Sequence, residues 1–392
     1  MIKSSHNIFF IVQKQKRFLL LSTFLIIITC RLIAQAVNSI KMNYIQNTPG
    51  TNVRKVSSDK VIHRFFDTSP LSPSGKLLAL FRMPYENKSP QPVDAGDVII
   101  VDMQSGKERV VAQSRGWEVQ LGANVQWGES DHQLLFNDVD TITWKAFCVV
   151  FDPSTGKSRR LSGTIFMASN DGKLIASYDL IKSSYAQVGY GVVIPKSLIQ
   201  KNIGPVDDDG IYITDIASGK TKRIVTIKEI YEKSIPSIAI PNQQDYEFYC
   251  FQVKWNPQGT RLLTTVQWTP LKDGTDIHTA ITSQQWAKGG HHINWMPDGK
   301  HLSMNLNIDG KEGLELISVK YDGTDIKTIF ASGSGHPSFQ PKGLPLIVTD
   351  AYPDEPLTKK NVIVPIRLLH IDTQKEENIA KIFVRNKMAS LE

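Results

Sequence analysis

Apolar and polar residues alternate along short segments of this chain, and a turn sequence ends each segment. In residues 292–304 the segment HINW precedes a Met-Pro-Asp-Gly turn, and HLSM follows one residue later. Alternation with a period of two predicts a half-buried strand, and Pro-Asp-Gly is typical of a tight turn. The pattern therefore predicts antiparallel hairpins, and it shows no helical periodicity.

The same hairpin recurs along the chain, so the repeat is the main feature of the sequence. Six copies occupy residues 68–80, 123–136, 164–177, 251–265, 292–304 and 336–349. Most copies are followed by a second hairpin with an Asp before a Gly turn, as in VIIVDMQSGKERVV. Four short antiparallel strands per repeat are the pattern of a propeller blade. We predict an all-β fold, a β-propeller with seven blades of four-stranded antiparallel sheets, of which six can be delimited. Residues 41–60 are expected to supply an outer strand that closes the ring against the C-terminal strands.

The first 36 residues have a different composition from the rest. A basic stretch precedes the apolar run Phe18–Thr29, and the tripeptide AQA ends at Ala36. This order predicts a secretory signal peptide, residues 1–36, which leaves residues 37–392 as a single β-propeller domain. The apolar run is too short for a comfortable membrane span. A lipoprotein signal ending at Cys30 is the alternative, but the small residues it needs before that cysteine are missing. We expect a secreted or periplasmic protein without membrane contact after cleavage.

Charge and motifs exclude several classes of function. The whole chain carries +7 and the predicted signal holds five basic and no acidic residues, so the mature chain carries 7 − 5 = +2. No basic run of the kind that binds phosphates remains, which argues against nucleic acid as a partner. The sequence has no G-x-S-x-G, P-loop or H-E-x-x-H motif. Only Cys148 and Cys250 remain after cleavage, and they do not require a disulfide. We expect a monomer.

The hairpins share one register position that should meet around the propeller channel. When the hairpins are aligned on their turns, this position is occupied by Thr68, Asn124, Ile165, Gln252, His292 and His336. The first strand of each blade lines the channel, so equivalent positions form a ring at one mouth. The second strands return to the same face with Asn137, Asp138, Asp140, Asp350 and Tyr352. We therefore expect Gln252, His292 and His336, from consecutive blades, to converge.

This convergence would bring together two imidazoles, an amide oxygen and a carboxylate. Such groups bind divalent metals of the zinc or manganese type, with calcium as a further candidate. The predicted metal ligands are Gln252, His292, His336 and Asp350. The alternative is that the histidines hydrogen-bond neighbouring strand ends. His291 is expected to point away from the site, because alternate strand residues face opposite sides.

An insertion and a strand end add polar groups to the same rim. Residues 177–191 carry Tyr185 and Tyr190, which could transfer protons or stack on sugar rings. The alternative is that both tyrosines pack the insertion. Arg82 ends a second strand and could pair with a carboxylate, although arginines at strand ends are commonly solvated.

Several stretches of the sequence resemble a family of secreted enzymes. QLGANVQWG, FNDVDTITW, GGHHINWMPDG and GSGHPSF are similar to the propeller polysaccharide lyases, namely the ulvan lyases and, more distantly, the oligogalacturonate lyases. The resemblance implies a seven-bladed propeller that cleaves uronic-acid glycans by β-elimination, with an anionic polysaccharide or oligosaccharide as substrate. It also implies Gln252, His292 and His336 as the best metal ligands, with Asp350 as a further candidate.

One departure from the family concerns the catalytic base. Related ulvan lyases are expected to use histidines as base or acid, whereas Asn124 occupies the ring position here and the nearby second strand offers Asn137 and Asp138. Tyr185 or Tyr190 then takes the base role, or the protein has another substrate or no activity. The candidate catalytic residues are Arg82, Asn124, Asn137, Asp138, Tyr185 and Tyr190.

Two readings therefore remain open. The first is a metal-assisted polysaccharide lyase. The second is a non-catalytic propeller, either a TolB-like interaction scaffold or a glycan-binding module, because the fold alone does not decide function.

Overall fold

A computed structural model describes residues 45–47, 55–57, 60–265, 267–270, 278–310, 313–352 and 363–383. Within these ranges the chain forms 25 strands in six antiparallel sheets, five with four strands and one with five. Consecutive strands of each sheet are neighbours, which is the arrangement of β-propeller blades. The predicted signal peptide lies outside the described residues.

The sheets follow one another along the chain and are numbered as blades in that order. Blade 1 contains β2 (Val61–Ile62), β3 (Leu77–Arg82), β4 (Gly96–Asp102) and β5 (Glu108–Ser114). Blade 2 contains β6 (Gln126–Trp127), β7 (Leu134–Val139), β8 (Ala146–Phe151) and β9 (Ser158–Arg160). Blade 3 contains β10 (Met167–Ala168), β11 (Leu174–Ser177), β12 (Gly210–Asp215) and β13 (Thr221–Thr226).

The remaining three blades complete the series. Blade 4 contains β14 (Val253–Trp255), β15 (Arg261–Thr264), β16 (Gln267–Pro270) and β17 (His278–Thr279). Blade 5 contains β18 (Gly290–Trp295), β19 (His301–Leu306), β20 (Leu314–Lys320) and β21 (Lys327–Gly333). Blade 6 contains β22 (Ser338–Phe339), β23 (Leu346–Thr349), β24 (Ile363–His370), β25 (Lys375–Phe383) and β1 (Ile45–Asn47).

The blade count differs from the prediction of seven four-stranded blades. The described residues form five four-stranded sheets and a sixth sheet with five strands, and they contain no seventh sheet. The N-terminal strand β1 starts no further blade but joins blade 6 as a fifth strand, with Ile45 opposite Ile382. The expected closure by an N-terminal outer strand is therefore present, but it enlarges an existing blade.

Short helices occupy the insertions between strands. They are α1 (Ser183–Ala186), α2 (Ile227–Lys233) and α3 (Ser283–Trp286), with 3₁₀ turns at Lys196–Leu198 and Gln243–Asp245. The side chain of Thr226 accepts the backbone N–H of Glu229 and forms a capping box that starts α2. Among the described residues, no helix has the length and apolar character that a membrane crossing would need.

Tryptophans at the ends of the first strands join each blade to an earlier one. The indole N–H of Trp127 donates to Pro70 O at 3.0 Å, that of Trp255 to Met167 O at 3.1 Å, and that of Trp295 to Lys254 O at 3.3 Å. All three rings are buried. A large apolar ring with one donor at its edge satisfies both the packing and the polar needs of these contacts.

The segment after β2 leaves blade 1 and reaches across the inside of the ring. Arg64 Nε donates to Phe166 O in blade 3 at 2.7 Å, and Asp67 lies 2.9 Å from Lys254 Nζ in blade 4. Phe66 O accepts the hydroxyl of Ser338 in blade 6 at 3.1 Å. Contacts with so many blades place residues 63–68, called here the channel segment, in the central channel.

Candidate functional site

Three imidazoles and one phenol form a cluster where blades 5 and 6 begin. His291 and His292 lie on β18, His336 precedes β22, and Tyr352 follows β23. The rings of His292 and His336 are 4.0 Å apart between centroids, and those of His291 and His292 are 4.5 Å apart. The hydroxyl of Tyr352 lies 3.1 Å from Nε2 of His292. The expected meeting of His292 with His336 is therefore present, and it includes two further rings.

The backbone of His292 explains why both neighbouring histidines face the cluster. Its φ is 61°, in the left-handed region, and the pairing of β18 with β19 is irregular between His291 and Asn294. A left-handed residue breaks the alternation of side chains along the strand. The prediction that His291 points away is thus wrong, since its Nδ1 lies 2.8 Å from that of His292.

The Nδ1 atoms of two imidazoles are held by oxygen acceptors from blade 6. Nδ1 of His292 lies 2.6 Å from Gly335 O, and Nδ1 of His336 lies 3.0 Å and 3.1 Å from the two oxygens of Asp350. A carbonyl or carboxylate oxygen only accepts, so Nδ1 carries a proton in both rings, and Nε2 is the remaining nitrogen of each. Asp350 also accepts the backbone N–H of His336 at 2.7 Å, which fixes the pair.

Within the cluster His291 and His292 are neutral and Asp350 is negative. Burial, with added repulsion from His336 and His291, lowers the pKa of His292 to about 2, and burial lowers that of His291 to about 4. Burial acts to raise the pKa of Asp350, but hydrogen bonds from His336 outweigh it and lower that pKa. Neutral imidazoles backed by an oxygen acceptor are the form in which histidine binds metals.

The channel segment forms the floor of the cluster. The ring of Phe66 lies edge-on to His292 at 5.3 Å, and that of Phe65 lies edge-on to His336 at 5.7 Å. Below them Asp67 pairs with Arg64 and Lys254, and all three side chains are almost completely buried. Burial acts to raise the pKa of Asp67, but the two cations outweigh it and lower that pKa to about 2.

Sequence reasoning missed this ion triad. Two signals in the sequence could have revealed it. Lys254 is a lone charge among the apolar residues of QVKW, and RFFD at 64–67 carries both charges and aromatic rings just before the first predicted hairpin. Each signal is weak, because a charge in a strand more commonly reaches solvent.

Gln252, just before blade 4, and Tyr190, in the insertion of blade 3, form a second group. The side chain of Gln252 hydrogen-bonds the hydroxyl of Tyr190, whose ring packs edge-on against Phe251 at 4.8 Å. Burial and then the charge of Glu118 raise the pKa of Tyr190 to about 12, so its phenol is protonated at neutral pH. Tyr190 also interacts electrostatically with Tyr352, which links this group to the imidazole cluster.

The other candidate residues are engaged elsewhere. Tyr185 stacks on Tyr249 at 5.6 Å within the insertion, and Arg82 pairs with Glu108. Asp138 accepts the backbone N–H of Arg115 and of Val139, each at 2.8 Å.

The amide of Asn137 links blade 2 to blade 3. It donates to Ile165 O at 2.7 Å and accepts Ile165 N–H at 2.8 Å, so both of its polar atoms are used. Asn124 is fully buried with a φ of 54°, and neither of its amide atoms has a hydrogen-bond partner among the described residues.

The fit of these residues to the predicted metal is partial. Within the described ranges, no group of three or more His, Cys, Asp or Glu side chains is arranged to hold a metal ion. With Nδ1 engaged in both rings, Nε2 of His292 and Nε2 of His336 are the atoms that would be two of the ligands. Asp350 lies behind His336, in contact with Nδ1, which is a position that orients a ligand. A third ligand would have to come from a group such as the amide of Gln252.

Comparison with known proteins gives the fold. No family model and no curated protein match the sequence. An oligogalacturonate lyase in complex with manganese aligns with a TM-score of 0.57 and 12% identity over 85% of this chain and 82% of its own. The oligogalacturonate lyase from Vibrio parahaemolyticus aligns with a TM-score of 0.56 and 10% identity over 85% and 84%. TolB from Acinetobacter baumannii aligns with a TM-score of 0.42 and 12% identity over 79% and 63%. The first two similarities show a shared β-propeller fold.

Proposed function

We propose that this protein is a polysaccharide lyase that cleaves a uronic-acid-containing glycan by β-elimination with the help of a divalent metal. The observation that carries the proposal is the pair His292 and His336, two imidazoles whose rings are 4.0 Å apart between centroids and whose Nδ1 atoms are held by oxygens. Because Nδ1 is engaged in each ring, Nε2 is the atom that would bind a metal. The manganese in the similar oligogalacturonate lyase structure adds support for a metal of that type.

The reaction needs charge neutralisation and two proton transfers. β-Elimination takes the proton from C5 of the uronate, breaks the bond from C4 to the glycosidic oxygen, and forms a double bond between C4 and C5. A divalent metal held by His292 and His336 would supply positive charge that neutralises the uronate carboxylate and makes the C5 proton more acidic. Gly335 O and Asp350 keep the two imidazoles in the ligand tautomer.

The proposed proton carriers are two phenols beside the imidazoles. Tyr352 lies 3.1 Å from Nε2 of His292, and positive charge beside its hydroxyl would favour the phenolate that accepts the C5 proton. Tyr190, whose pKa is raised to about 12, holds the proton that the departing glycosidic oxygen requires. The sequence suggests Tyr185 or Tyr190 as the base; the proposal gives that role to Tyr352, because Tyr185 stacks on Tyr249 and Tyr190 is assigned the acid role.

The test is the ultraviolet absorbance of the unsaturated uronate product. Purified protein is mixed with ulvan, polygalacturonate or glycosaminoglycans, with and without a chelator. We expect absorbance to rise on one substrate and to fall to background with chelator, and with His292→Ala or His336→Ala. His301→Ala is the matched control, because His301 contacts Asp298 and Asp325 away from the cluster. A chelator-insensitive rise would remove the metal from the proposal.

A non-catalytic glycan-binding propeller is the competing function. It is favoured by the engagement of Asn137, Asp138 and Arg82 in contacts within and between blades. If metal-loaded protein binds an anionic glycan in a saturable way but produces no absorbance change, this function is favoured over the lyase.

Secretion completes the proposal. The predicted signal would be removed after Ala36, so N-terminal sequencing of the exported protein should begin at Val37. An exported protein that begins before the apolar run Phe18–Thr29 would contradict it.

A further inference from the structure

Four buried polar side chains near the inner ends of blades 1 to 3 have atoms without partners. Arg64, Glu118, Asn124 and Tyr178 are each no more than 2% exposed. Among the described residues no hydrogen-bond partner exists for Arg64 Nη2, Glu118 Oε1 or either amide atom of Asn124, and the Tyr178 hydroxyl, which interacts with the backbone N–H of Gln252, has no acceptor for its own hydrogen. Buried polar groups are normally paired, so several unpaired ones in one region require an explanation.

Phe166 is the common neighbour that brings these side chains together. The guanidinium of Arg64 lies 4.4 Å over its ring, and the ring of Tyr178 lies 5.3 Å from it. Phe166 O accepts from Arg64 Nε at 2.7 Å and from Gln126 Nε2 at 2.9 Å. Gln126 Nε2 also donates to Asn124 O at 3.1 Å, which places Asn124 in the same group.

Glu118 joins the group from the loop before blade 2. Its carboxyl interacts electrostatically with Arg64 and with Tyr178. Its Oε2 accepts the backbone N–H of Gly191 from the insertion. Arg64 and Glu118 form no ion pair within 4.0 Å, so this carboxyl does not neutralise the guanidinium by direct contact.

Each of the four side chains has an unpaired atom that can donate hydrogen, although the amide oxygen of Asn124 is an unpaired acceptor. Arg64 Nη2, Asn124 Nδ2 and the Tyr178 hydroxyl are donors, and a protonated Glu118 is a fourth. Burial raises the pKa of Glu118 to about 8, so the donor form is the main one at neutral pH. Arg64 and Lys254 share the single carboxylate of Asp67, so these three side chains together carry one net positive charge.

We propose that Arg64, Glu118, Asn124 and Tyr178 form a binding site for one small monovalent anion, of halide size, inside the propeller channel. Four donors and one net positive buried charge are the chemistry of an anion site, since an isolated buried charge is costly. The anion would hold the first strands of blades 2 and 3 against the channel segment. The site does not depend on the protein being a lyase.

The test uses bromide as the probe. A crystal of the mature protein grown in bromide should show an anomalous peak within hydrogen-bond distance of Arg64 Nη2 and the Tyr178 hydroxyl. In solution, bromide should raise the thermal unfolding temperature in a saturable way at constant ionic strength. Water alone between the four side chains, with no saturable bromide effect, would overturn the proposal.

Paired variants separate this site from a general salt effect. Tyr178→Phe removes one donor without changing the ring, and we expect bromide affinity to fall about tenfold, the value of one hydrogen bond to an ion. Tyr185→Phe is the matched control, because the Tyr185 hydroxyl contacts Ile199 O in the insertion. Equal bromide dependence in both variants would contradict the site.

A second variant tests the site independently if Tyr178→Phe does not fold. Asn124→Gly removes the amide and tolerates the left-handed backbone at that position, where φ is 54°. It should weaken bromide binding by a similar factor. Unchanged bromide affinity in a folded Asn124→Gly protein would also overturn the proposal.

Discussion

Blade 5 and blade 2 begin with the same backbone conformation at one register position, but they carry different side chains there. His292 and Asn124 hold the same register position and the same left-handed conformation, with φ values of 61° and 54°. In each blade an asparagine on the second strand bonds the start of the next blade: Asn305 donates to Gly335 O at 2.9 Å, and Asn137 to Ile165 O at 2.7 Å.

The difference lies in what the shared conformation presents to the channel. Blade 5 presents imidazoles that contact His336 and Tyr352, whereas blade 2 presents a buried amide beside Arg64 and Glu118. The repeat therefore fixes the direction of the side chain at this register position, and the residue type at that position determines the chemistry. Gln252 repeats the left-handed conformation in blade 4, with a φ of 56°.

The largest expected effect comes from removing the carboxylate that lies between the two regions. Asp67→Ala should lower the free energy of unfolding by about 3–5 kcal/mol, because Arg64 and Lys254 would remain buried without their partner. Urea denaturation measures the change. Asp131→Ala is the control, since Asp131 hydrogen-bonds Ser74 at the surface and contacts neither buried cation of the triad. A loss no larger than in the control would mean that the triad does not stabilise the channel.

The two asparagines should differ in their contribution to stability. Asn137→Ala leaves both backbone groups of Ile165 unbonded and should cost about 2–4 kcal/mol. Asn305→Ala removes the bond to Gly335 O and should cost about 1–2 kcal/mol. Denaturant midpoints of both variants check the order, and the reverse order would show that the blade 2 link is not the stronger one.

The orienting carboxylate of the imidazole cluster should affect metal affinity more than stability. Asp350→Asn keeps the shape but weakens the acceptor for His336 Nδ1. We expect the dissociation constant for manganese or zinc to rise about 10–100-fold, as for other groups that orient a ligand histidine. Calorimetric titration measures it, with Asp298→Asn, which contacts His301 outside the cluster, as the control. Unchanged affinity in Asp350→Asn would exclude His336 as a ligand.

The smallest effect is a pH dependence that belongs to the blade 2 region. Glu118 has a pKa of about 8 when folded against an ordinary value of 4.5, so the folded state binds its proton more tightly. Its contribution is complete below pH 4.5 and is lost as the pH rises through about 8. Between pH 6.5 and 8 the wild type should lose about 1–2 kcal/mol that Glu118→Gln does not lose.

That pH window separates Glu118 from the histidines. His291 and His292 have lowered pKa values, so the unfolded state binds their protons more tightly, and stability from them rises with pH up to about 6.5. Above that range their contribution is constant. Parallel pH profiles for wild type and Glu118→Gln, measured by denaturation with a chelator present, would contradict the raised pKa.

The repeat made the fold and part of the site predictable. Turn spacing gave the four-stranded units, and register alone brought His292 to His336. The orientation of His291 was not predictable, because it follows from the left-handed φ of His292, which no residue type at that position signals. The role of Gly335 was equally hidden, since it acts through its carbonyl oxygen, a group that every residue has.

The channel segment escaped prediction for a different reason. Its residues break the repeat, so alignment of the hairpins placed the first ring residue at Thr68, whereas the first strand ends at Ile62. Contacts of Arg64 and Asp67 with blades 3 and 4 are distant in sequence and follow no period. Non-periodic long-range pairs cannot be read from alternation of apolar and polar residues.

The pairing of β1 with β25 has a consequence for the order in which the molecule is made. β1 precedes every other described strand, and β25 follows them all, yet they lie side by side with Gln46 opposite Lys381. During synthesis β1 therefore stays unpaired until β25 has left the ribosome. Contacts of such long sequence separation form slowly. A chain exported before folding would meet this requirement naturally, because both strands would reach the far side of the membrane before either had to pair.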